Sequence, residues 1–257
     1  MFVPRLVAFD LDDTLAPSKS PIEPRMAQLL AALADRVEVA IISGGQLAQF
    51  SAQVVDRLPA LDAEALSRFH LLPTCGTQYY RLSPEGVEEV YARSLTLDQK
   101  LRATAALEDE ARRLGLWEPD RGWGHIIEDR GSQITFSALG QHAPVAEKSL
   151  WDPTGIKKNA LRLAVAEKLP DLEVRSGGST SIDITERGID KAYGMQRLAE
   201  QSGLPLETML FVGDRLDEHG NDYPVLAMGV RCHAVSDWED TASFLTALLP
   251  ELPIRVG

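Results

Sequence analysis

The stretch Leu6-Val7-Ala8-Phe9-Asp10-Leu11-Asp12-Asp13-Thr14 decides the fold and points to the chemistry. Its first four residues are too few for a helix and apolar enough for a buried strand. Asp10 and Asp12 follow two positions apart, so an extended backbone directs both carboxylates to one side. The carboxyl edge of the sheet, where this turn falls, is where open α/β folds bind ligands. The alternative is an Asp-rich turn that caps the next helix.

Strands and helices alternate outward from this stretch. Apolar residues between Met26 and Leu33 have helical spacing, and Val37 to Ile42 is typical of a second buried strand. Further apolar runs are found at Phe69 to Leu72 and at Thr208 to Val212. Continuous apolar strands that alternate with helices predict an α/β fold whose parallel sheet is covered by helices on both faces.

The middle of the chain has a different pattern. Residues between Leu101 and Leu114 fit a helix, whereas Gln133 to Ser137 and Ser181 to Thr185 alternate polar and apolar residues, as half-exposed antiparallel strands do. We therefore expect residues 84–186 to form an α+β domain. It would be inserted into a core domain built from residues 1–83 and 187–257.

Composition excludes several classes of function. The 257 residues carry 26 Lys and Arg against 38 Asp and Glu, a formal charge of −12, which argues against a nucleic-acid partner. No apolar stretch is long enough to span a membrane, and the N-terminus lacks the pattern of a signal peptide. We expect Cys75 and Cys232 to be small, buried free thiols, as is usual in a protein of a reducing compartment. We expect a soluble cytoplasmic protein.

Other groups suited to phosphoryl transfer lie just after predicted strands or at the start of a predicted helix. Ser43 could donate to a phosphoryl oxygen beside the N–H groups of Gly44 and Gly45, or could simply cap a helix. Lys191 could neutralise charge on a transferring group, although a lysine at a helix start is more often solvated. Asp214, with Asn221 and Asp222 close behind, offers the hard oxygen ligands that Mg²⁺ prefers.

These residues resemble the four signature motifs of the haloacid dehalogenase superfamily of phosphotransferases. The motifs here are Asp10-Leu11-Asp12-Asp13-Thr14, Ser43, Lys191, and Gly213-Asp214 with Gly220-Asn221-Asp222. The insertion resembles that superfamily's larger α+β cap, of the C2B type, on a Rossmann-like core. The segments Gly177 to Lys191 and Phe211 to Tyr223 are similar to eukaryotic-type phosphomannomutases.

The resemblance implies specific roles. Asp10 would be the nucleophile that forms an aspartyl-phosphate, and Asp12 the general acid and base. Mg²⁺ would bind Asp10, the backbone carbonyl of Asp12, and Asp214. The substrate, a small phosphorylated sugar, would be held by Lys19, Arg130, Gln141, Lys148, Ser181 and Asp183. A homodimer through the cap is also implied.

Four positions depart from the family pattern and leave the reaction open. Lys19, Gln141 and Lys148 stand where the family typically has arginine, which weakens bidentate phosphate contacts. Asp13 replaces the glycine of the mutases, and related phosphatases also carry Asp there. Three alternatives follow: a hexose-phosphate mutase, a sugar-phosphate phosphatase, and a binding module without turnover.

Overall fold

The structure, a computed structural model, describes residues 2–119 and 123–253. The described residues form two compact units. The core unit comprises those up to Ala92 together with those from Asp190 onward, and the cap unit comprises those from Arg93 to Ile189. The chain thus leaves the core unit once and returns to it.

The secondary structure alternates in the core unit and changes character in the cap unit. The strands are β1 (Leu6–Phe9), β2 (Glu38–Ile42), β3 (Phe69–Leu72), β4 (Gln78–Ser83), β5 (Gly86–Ala92), β6 (Ile127–Asp129), β7 (Gln133–Ser137), β8 (Leu172–Ser176), β9 (Ser181–Glu186), β10 (Met209–Gly213) and β11 (Arg231–Ala234). The α-helices are α1 (Pro24–Ala34), α2 (Leu47–Gln53), α3 (Ala63–Ser67), α4 (Leu97–Arg113), α5 (Val145–Trp151), α6 (Ile156–Lys168), α7 (Lys191–Ser202), α8 (Tyr223–Ala227) and α9 (Trp238–Leu248).

The core unit is built on a sheet in the order β11-β10-β1-β2-β3-β4-β5. The first five of these strands run parallel, and β4 and β5 are antiparallel additions at one edge. Consecutive residues of β1 enter opposite cores: Val7 and Phe9 pack in the layer that contains α1 and α9, and Leu6 and Ala8 in the layer that contains α7. Each large apolar side chain buried this way stabilises the fold by about 1.5–3 kcal/mol. The predicted parallel sheet covered on both faces is confirmed.

The cap unit is an antiparallel sheet with helices on one face. Its strands are ordered β6-β7-β9-β8, and α4 and α6 contribute to one apolar layer with the sheet. Ile182 and Ile184 of β9 lie in that layer, as their alternation predicts. The α+β character expected of the insertion is therefore present in the described residues.

The first boundary of the cap unit lies later than residue 84, where the sequence placed it. The hairpin of β4 and β5 extends the core sheet, so the chain leaves the core only after Ala92. Residues of β5 are mostly exposed and include Glu88 and Glu89, so their pattern gives no signal of a core strand. Backbone pairing with β4, rather than burial, holds this strand in the core.

Strand β7 is buried on both faces, and the prediction of a half-exposed strand is wrong. Its polar residues Gln133, Thr135 and Ser137 are all buried. Gln133 Nε2 and Thr135 Oγ1 donate to Asp183 Oδ1 at 2.8 and 2.7 Å. Polar groups can be buried where hydrogen bonds satisfy them. The alternation of polar and apolar residues in β7 therefore did not indicate a solvent-exposed face.

Two expectations about the whole chain can be checked against the described residues. Among them, no helix has the length and apolar character needed to cross a bilayer. Cys75 and Cys232 are both free cysteines, but each is half-buried rather than buried as expected. Neither thiol crosslinks the fold.

A buried histidine in the core sheet should make stability depend on pH. His70 of β3 has its ring nitrogens 2.6 Å from Tyr79 Oη and 3.0 Å from Glu38 Oε2. Burial lowers the pKa of His70 below 6.5, against the hydrogen bond to Glu38 and with the help of nearby Arg81. In the unfolded chain His70 binds a proton near pH 6.5, whereas in the folded chain it binds one only at lower pH. The folded state therefore loses stability as the pH falls below about 6.5.

We expect His70→Gln, which cannot titrate, to lose less stability than the wild type between about pH 7.5 and about pH 5.5. The difference should reach at most about 1.4 kcal/mol for each pH unit. Urea unfolding of both proteins across this range measures it. Parallel curves for the two proteins would contradict the assignment.

Candidate active site

The predicted catalytic groups lie at one edge of the core sheet. Asp10 follows β1, Ser43 follows β2, and Asp214 follows β10. Strand β1 pairs in parallel with both β2 and β10, so the carboxyl ends of these strands are adjacent. The Asp10 N–H donates to the carbonyl of Val212 at 3.0 Å, which fixes the turn at its first residue. This edge is where open α/β sheets place ligands.

Lys191 is the centre of the charge arrangement. It begins α7, yet it is 1% exposed. Its Nζ lies 2.5 Å from Asp10 Oδ1 and 2.6 Å from Asp222 Oδ1. The alternative of a solvated lysine is therefore wrong. Burial opposes the ammonium charge, but Asp10 and Asp222 outweigh it and raise the pKa of Lys191, so the cation is kept.

Asp222 is the residue that sequence reasoning left undecided. It is completely buried. Besides the contact with Lys191, its Oδ2 accepts a hydrogen bond from the Arg215 N–H at 3.0 Å. Asp222 therefore links the lysine to the loop that carries Asp214. The motif Gly220-Asn221-Asp222 was the signal that could have found it, whereas Asn221 is exposed.

The carboxylates of Asp10, Asp214 and Asp222 fit a divalent cation. Each offers an oxygen, and these atoms lie within 4.8 Å of one another. When all three carboxylates are ionised, their negative charges face the one positive charge of Lys191, which leaves an excess of two negative charges. Burial raises the pKa of Asp10 against the attraction of Lys191, and burial also raises the pKa of Asp214, because the excess of negative charge is unfavourable away from water. A hard cation with oxygen ligands, such as Mg²⁺, would balance this excess.

Thr14 and Asp214 connect the first loop to the loop after β10. Thr14 is buried, and its Oγ1 donates to Asp214 Oδ1 at 3.2 Å.

The first helix begins only at Pro24, so the aspartates of the loop do not cap it. The alternative reading of an Asp-rich helix cap is wrong for Asp10 and Asp12.

Asp12 lies on the same loop as Asp10 but has different partners. Its Oδ1 accepts a hydrogen bond from the Lys19 N–H at 2.7 Å, and its Oδ2 accepts one from Gln49 Nε2 at 3.0 Å. The side chain is half-buried. Asp13 and Lys19 occupy left-handed backbone conformations, with φ of 63° and 58°, which bend the loop around Asp12. The glutamine contacts were not predicted, because no motif contains them.

Ser43 is buried and does not cap a helix, since α2 begins at Leu47. Its Oγ accepts a hydrogen bond from the Gly45 N–H at 3.2 Å. The Ser43 carbonyl accepts another from the Cys75 N–H at 2.9 Å. These contacts hold the hydroxyl at the sheet edge, where a donor to a phosphoryl oxygen is expected.

A loop whose residues have left-handed backbone conformations contacts both Ser43 and the helix that begins with Lys191. Thr74, Cys75 and Gly76 have φ of 48°, 56° and 85°. A Cβ on Gly76 would lie 2.6 Å from the Cα of Gly194 in α7, so the backbones approach closely only because both residues are glycine. The loop therefore contacts Ser43 and the helix that begins with Lys191.

The cap unit brings together three of the residues assigned to substrate. Arg130 Nη2 lies 3.4 Å from Gln141 Oε1, and Lys148 Nζ lies 3.3 Å from the carbonyl of Gln141. Arg130 also forms an ion pair with Glu128 at 2.8 Å. Among the contacts of the described residues, Gln141 Nε2 is buried without a hydrogen-bond partner. That nitrogen is a donor suited to a bound oxygen.

Ser181 and Asp183 lie two positions apart on β9, so their side chains share one face of the cap sheet. Both are half-buried. A Cβ on Gly177 would come within 2.6 Å of Asp183 Oδ2 and 2.7 Å of Ser181 Oγ, so the glycine leaves room for both polar groups. Lys19, the remaining predicted substrate residue, belongs to the core unit and is exposed.

Comparison with known proteins gives a family and a fold. The sequence model of the family described as eukaryotic phosphomannomutase matches residues 26–251. The chain is 25% identical to a probable phosphomannomutase of Caenorhabditis elegans over 263 residues, 96% of each chain. It is 27% identical to the phosphomannomutase of Saccharomyces cerevisiae over 254 residues, 95% of this chain and 93% of the relative. The predicted class of enzyme, one of phosphoryl transfer, is confirmed.

Solved structures share the fold at low sequence identity. A haloacid dehalogenase-like hydrolase from Bacteroides thetaiotaomicron aligns with a TM-score of 0.64 at 15% identity, covering 96% of this chain and all of that one (100%). An IMP-nucleotidase from Plasmodium falciparum aligns with a TM-score of 0.68 at 13% identity, covering 96% of this chain and 68% of that one. The predicted haloacid dehalogenase fold, with its Rossmann-like core and α+β cap, is confirmed.

Proposed function

The chain belongs to the eukaryotic phosphomannomutase family, and from that membership we propose that it transfers a phosphoryl group on a hexose phosphate through an aspartyl-phosphate at Asp10. The preferred reaction is the conversion of mannose 1-phosphate to mannose 6-phosphate. One observation carries the proposal: a buried carboxylate, Asp10, lies 2.5 Å from a buried lysine at the carboxyl edge of the sheet. The family match begins at residue 26, so the assignment of Asp10 depends on this geometry and on the motif.

In the proposed reaction, an oxygen of Asp10 forms a bond to phosphorus while the bond from phosphorus to the sugar oxygen breaks. Asp12 donates a proton to that leaving oxygen and later takes a proton from the accepting hydroxyl. Ser43 donates to a phosphoryl oxygen, and Lys191 stabilises the charge on the transferring group. Lys191 also holds Asp10 in place, since it bonds to Asp222 at the same time.

Mg²⁺ would be held by Asp10, Asp214 and the backbone carbonyl of Asp12, with Asp222 beside them. When bound, it would screen the repulsion between the attacking carboxylate and the phosphoryl oxygens. The excess of negative charge around Asp10, Asp214 and Asp222 supports this cofactor.

We expect Mg²⁺ to raise the thermal unfolding midpoint, because a cation that binds only the folded site stabilises it increasingly as the ligand concentration rises. Asp214→Asn should remove most of this shift, and chelation should abolish turnover until Mg²⁺ is returned. Differential scanning fluorimetry across a Mg²⁺ titration measures the effect. An equal shift in the wild type and the Asp214→Asn variant would contradict a site at Asp214.

The cap unit would bind the sugar and the phosphate that does not react. Arg130 and Lys148 supply positive charge in this unit, and Gln141 supplies a buried amide donor that has no partner among the described residues. Lys19 of the core unit would also bind the substrate. Ser181 and Asp183 would bind sugar hydroxyls, which pair well with a carboxylate and a hydroxyl. We expect the enzyme to act in the cytoplasm, where the low cysteine content of the chain suits reducing conditions.

The decisive assay incubates the enzyme with mannose 1-phosphate, Mg²⁺ and a hexose bisphosphate activator, and measures mannose 6-phosphate and inorganic phosphate in the same sample. A mutase forms mannose 6-phosphate without a matching release of phosphate. Formation of neither product, at any Mg²⁺ concentration tested, would contradict the proposed function.

A second candidate, a sugar-phosphate phosphatase, is favoured by the charge of the cap. A mutase must hold a bisphosphorylated intermediate while it reorients, and here Gln141 is uncharged while Arg130 is already paired with Glu128. When water is the acceptor, no bisphosphorylated intermediate forms and no second phosphate has to be held. The same assay identifies this reaction by the release of inorganic phosphate.

We expect Gln141→Arg to shift the products toward mannose 6-phosphate, with the ratio to inorganic phosphate rising about tenfold, because a charge-assisted bond to the second phosphate is added. Gln201→Arg adds the same charge at an exposed position of α7 and should leave the ratio unchanged. An unchanged ratio in the Gln141→Arg variant would argue against a phosphate site beside Gln141.

A homodimer through the cap is proposed from its exposed apolar side chains. Leu97 and Leu101 share one face of α4 and are 73% and 62% exposed, and Ile156 and Leu163 share one face of α6. We expect sedimentation to give a dimer for the wild type and a monomer for Leu101→Glu. Val3→Glu, at an exposed site of the core unit, is the matched control. A wild-type monomer would contradict the proposal.

A further inference from the structure

The carboxyl of Asp12 is held by side chains from a helix that carries no recognised motif. Gln49 Nε2 donates to Asp12 Oδ2 at 3.0 Å, and Gln53 Nε2 lies 3.4 Å from Asp12 Oδ1. The two glutamines are four residues apart on α2, so they share one face of that helix. The Lys19 N–H adds a third donor to Oδ1 at 2.7 Å. Both carboxyl oxygens of Asp12 therefore accept hydrogen bonds.

Gln53 has a fixed amide orientation. It is 3% exposed, and its Nε2 donates to the carbonyl of Ser20 at 2.6 Å. A carbonyl accepts hydrogen bonds only, so this contact requires the nitrogen, not the oxygen, on the side of Ser20 and Asp12. The amide oxygen is buried with no partner among the described residues. Gln53 therefore keeps a buried acceptor unsatisfied while its donor faces Ser20 and Asp12.

Gln49 lies one turn earlier, where the backbone leaves space for it. A Cβ on Gly45 would collide with the Gln49 side-chain amide, so the amide reaches Asp12 across a glycine. Gly45 itself donates to Ser43 Oγ. The loop after β2 thus makes room for Gln49 and also positions Ser43.

We propose that Gln49 and Gln53 are positioning residues that fix the plane of the Asp12 carboxyl for proton transfer. This rests on the proposed function, in which Asp12 protonates the leaving oxygen and later activates the acceptor. The carboxylate plane of an aspartate is set by rotation about its Cβ–Cγ bond, which is weakly restricted unless hydrogen-bond donors hold both oxygens. Displacement of a reacting group by about 1 Å lowers a rate by up to about 100-fold.

The test uses Gln49→Leu, which has a similar size and no hydrogen-bonding groups. With a hexose phosphate, whose leaving oxygen needs a proton, we expect kcat to fall about 10- to 100-fold and KM to change by less than about threefold. With dinitrophenyl phosphate, whose phenolate leaves without a proton, the first-turnover release of dinitrophenol should keep its wild-type rate. A general structural defect would slow both reactions.

The matched control is Gln201→Leu, the same substitution at an exposed position of α7, and it should match the wild type on both substrates. Urea unfolding of each variant verifies that the fold is retained. If Gln49→Leu matches the wild type, or slows both substrates equally, the positioning role is overturned while the proposed function stands. If the wild type itself transfers no phosphoryl group from either substrate, the proposed function fails and this inference fails with it.

Discussion

The Asp10→Asn variant is expected to lose phosphoryl transfer by about 10⁴-fold or more, the scale seen when a covalent nucleophile is removed. An amide oxygen is a poor nucleophile, and the variant cannot form the acyl phosphate. The fold should be retained, because the substitution keeps the shape of the side chain and removes one of the clustered negative charges around Lys191. Lys191 would still pair with Asp222, which lies 2.6 Å from it in the wild type. Steady-state turnover and urea unfolding of the same preparation measure both effects.

The matched control is Asp13→Asn, three residues further along the same loop. Asp13 is exposed, and its φ of 63° is a conformation that asparagine adopts readily. We expect this variant to keep activity within about threefold of the wild type, since surface substitutions usually have small effects. Near-normal turnover by a homogeneous preparation of Asp10→Asn would contradict a covalent mechanism at that residue.

Replacing Lys191 with Met is expected to affect both stability and activity. Lys191 is buried between Asp10 and Asp222, so its removal leaves buried carboxylates without a counter-charge. Loss of one partner from a buried ion pair costs about 3–5 kcal/mol of unfolding free energy. Turnover should fall by at least about 100-fold, because the cation beside the transferring group is lost. Urea unfolding and the phosphoryl-transfer assay test these values.

The pH dependence of this defect separates a charge effect from a packing effect. Without Lys191, the buried carboxyl of Asp10 should bind a proton at a higher pH in the folded variant than in the folded wild type, so the loss of stability relative to the wild type should shrink as the pH falls. Lys168→Met should change stability by less than about 1 kcal/mol, because Lys168 is exposed and its buried partner Glu110 keeps an ion pair with Arg113. A deficit in Lys191→Met that does not vary with pH would contradict the charge account.

The core sheet could be predicted because its strands are buried on both faces. Leu6 to Phe9 is a continuous apolar run, and Phe69 to Leu72 is apolar except for His70; the structure has strands with those same bounds. The antiparallel strand β5 could not be predicted, since the consecutive, exposed Glu88 and Glu89 break any alternation between Val87 and Tyr91. Its position follows from pairing with β4, which hydropathy does not report.

The candidate site was predictable in its residue types but not in its contacts. Asp10 and Asp12 are adjacent to a strand in the sequence, and Ser43 and Asp214 follow strands that pair with it. The burial of Lys191 was not predictable, because it depends on Asp222, which is 31 positions further along the chain. Gln49 is 37 positions from Asp12 and belongs to no motif, so only the folded structure places its amide on that carboxyl.

The cap illustrates a second limit of sequence reasoning. The alternation of Gln133, Thr135 and Ser137 predicted an exposed polar face, yet all three residues are buried. Hydrogen bonds from Gln133 and Thr135 to Asp183 satisfy those polar groups, and no hydropathy pattern shows whether a polar side chain has such a partner.

The central claim is that the phosphoryl group passes through a covalent intermediate on Asp10. Rapid acid quenching of the enzyme with hexose bisphosphate and Mg²⁺, followed by borohydride reduction and peptide mass spectrometry, locates an acyl phosphate directly. We predict that reduction converts Asp10 to homoserine in the wild type and leaves the same peptide unmodified in the Asp10→Asn variant. Turnover by the wild type with no modification of Asp10, or with the label on another residue, would contradict the mechanism.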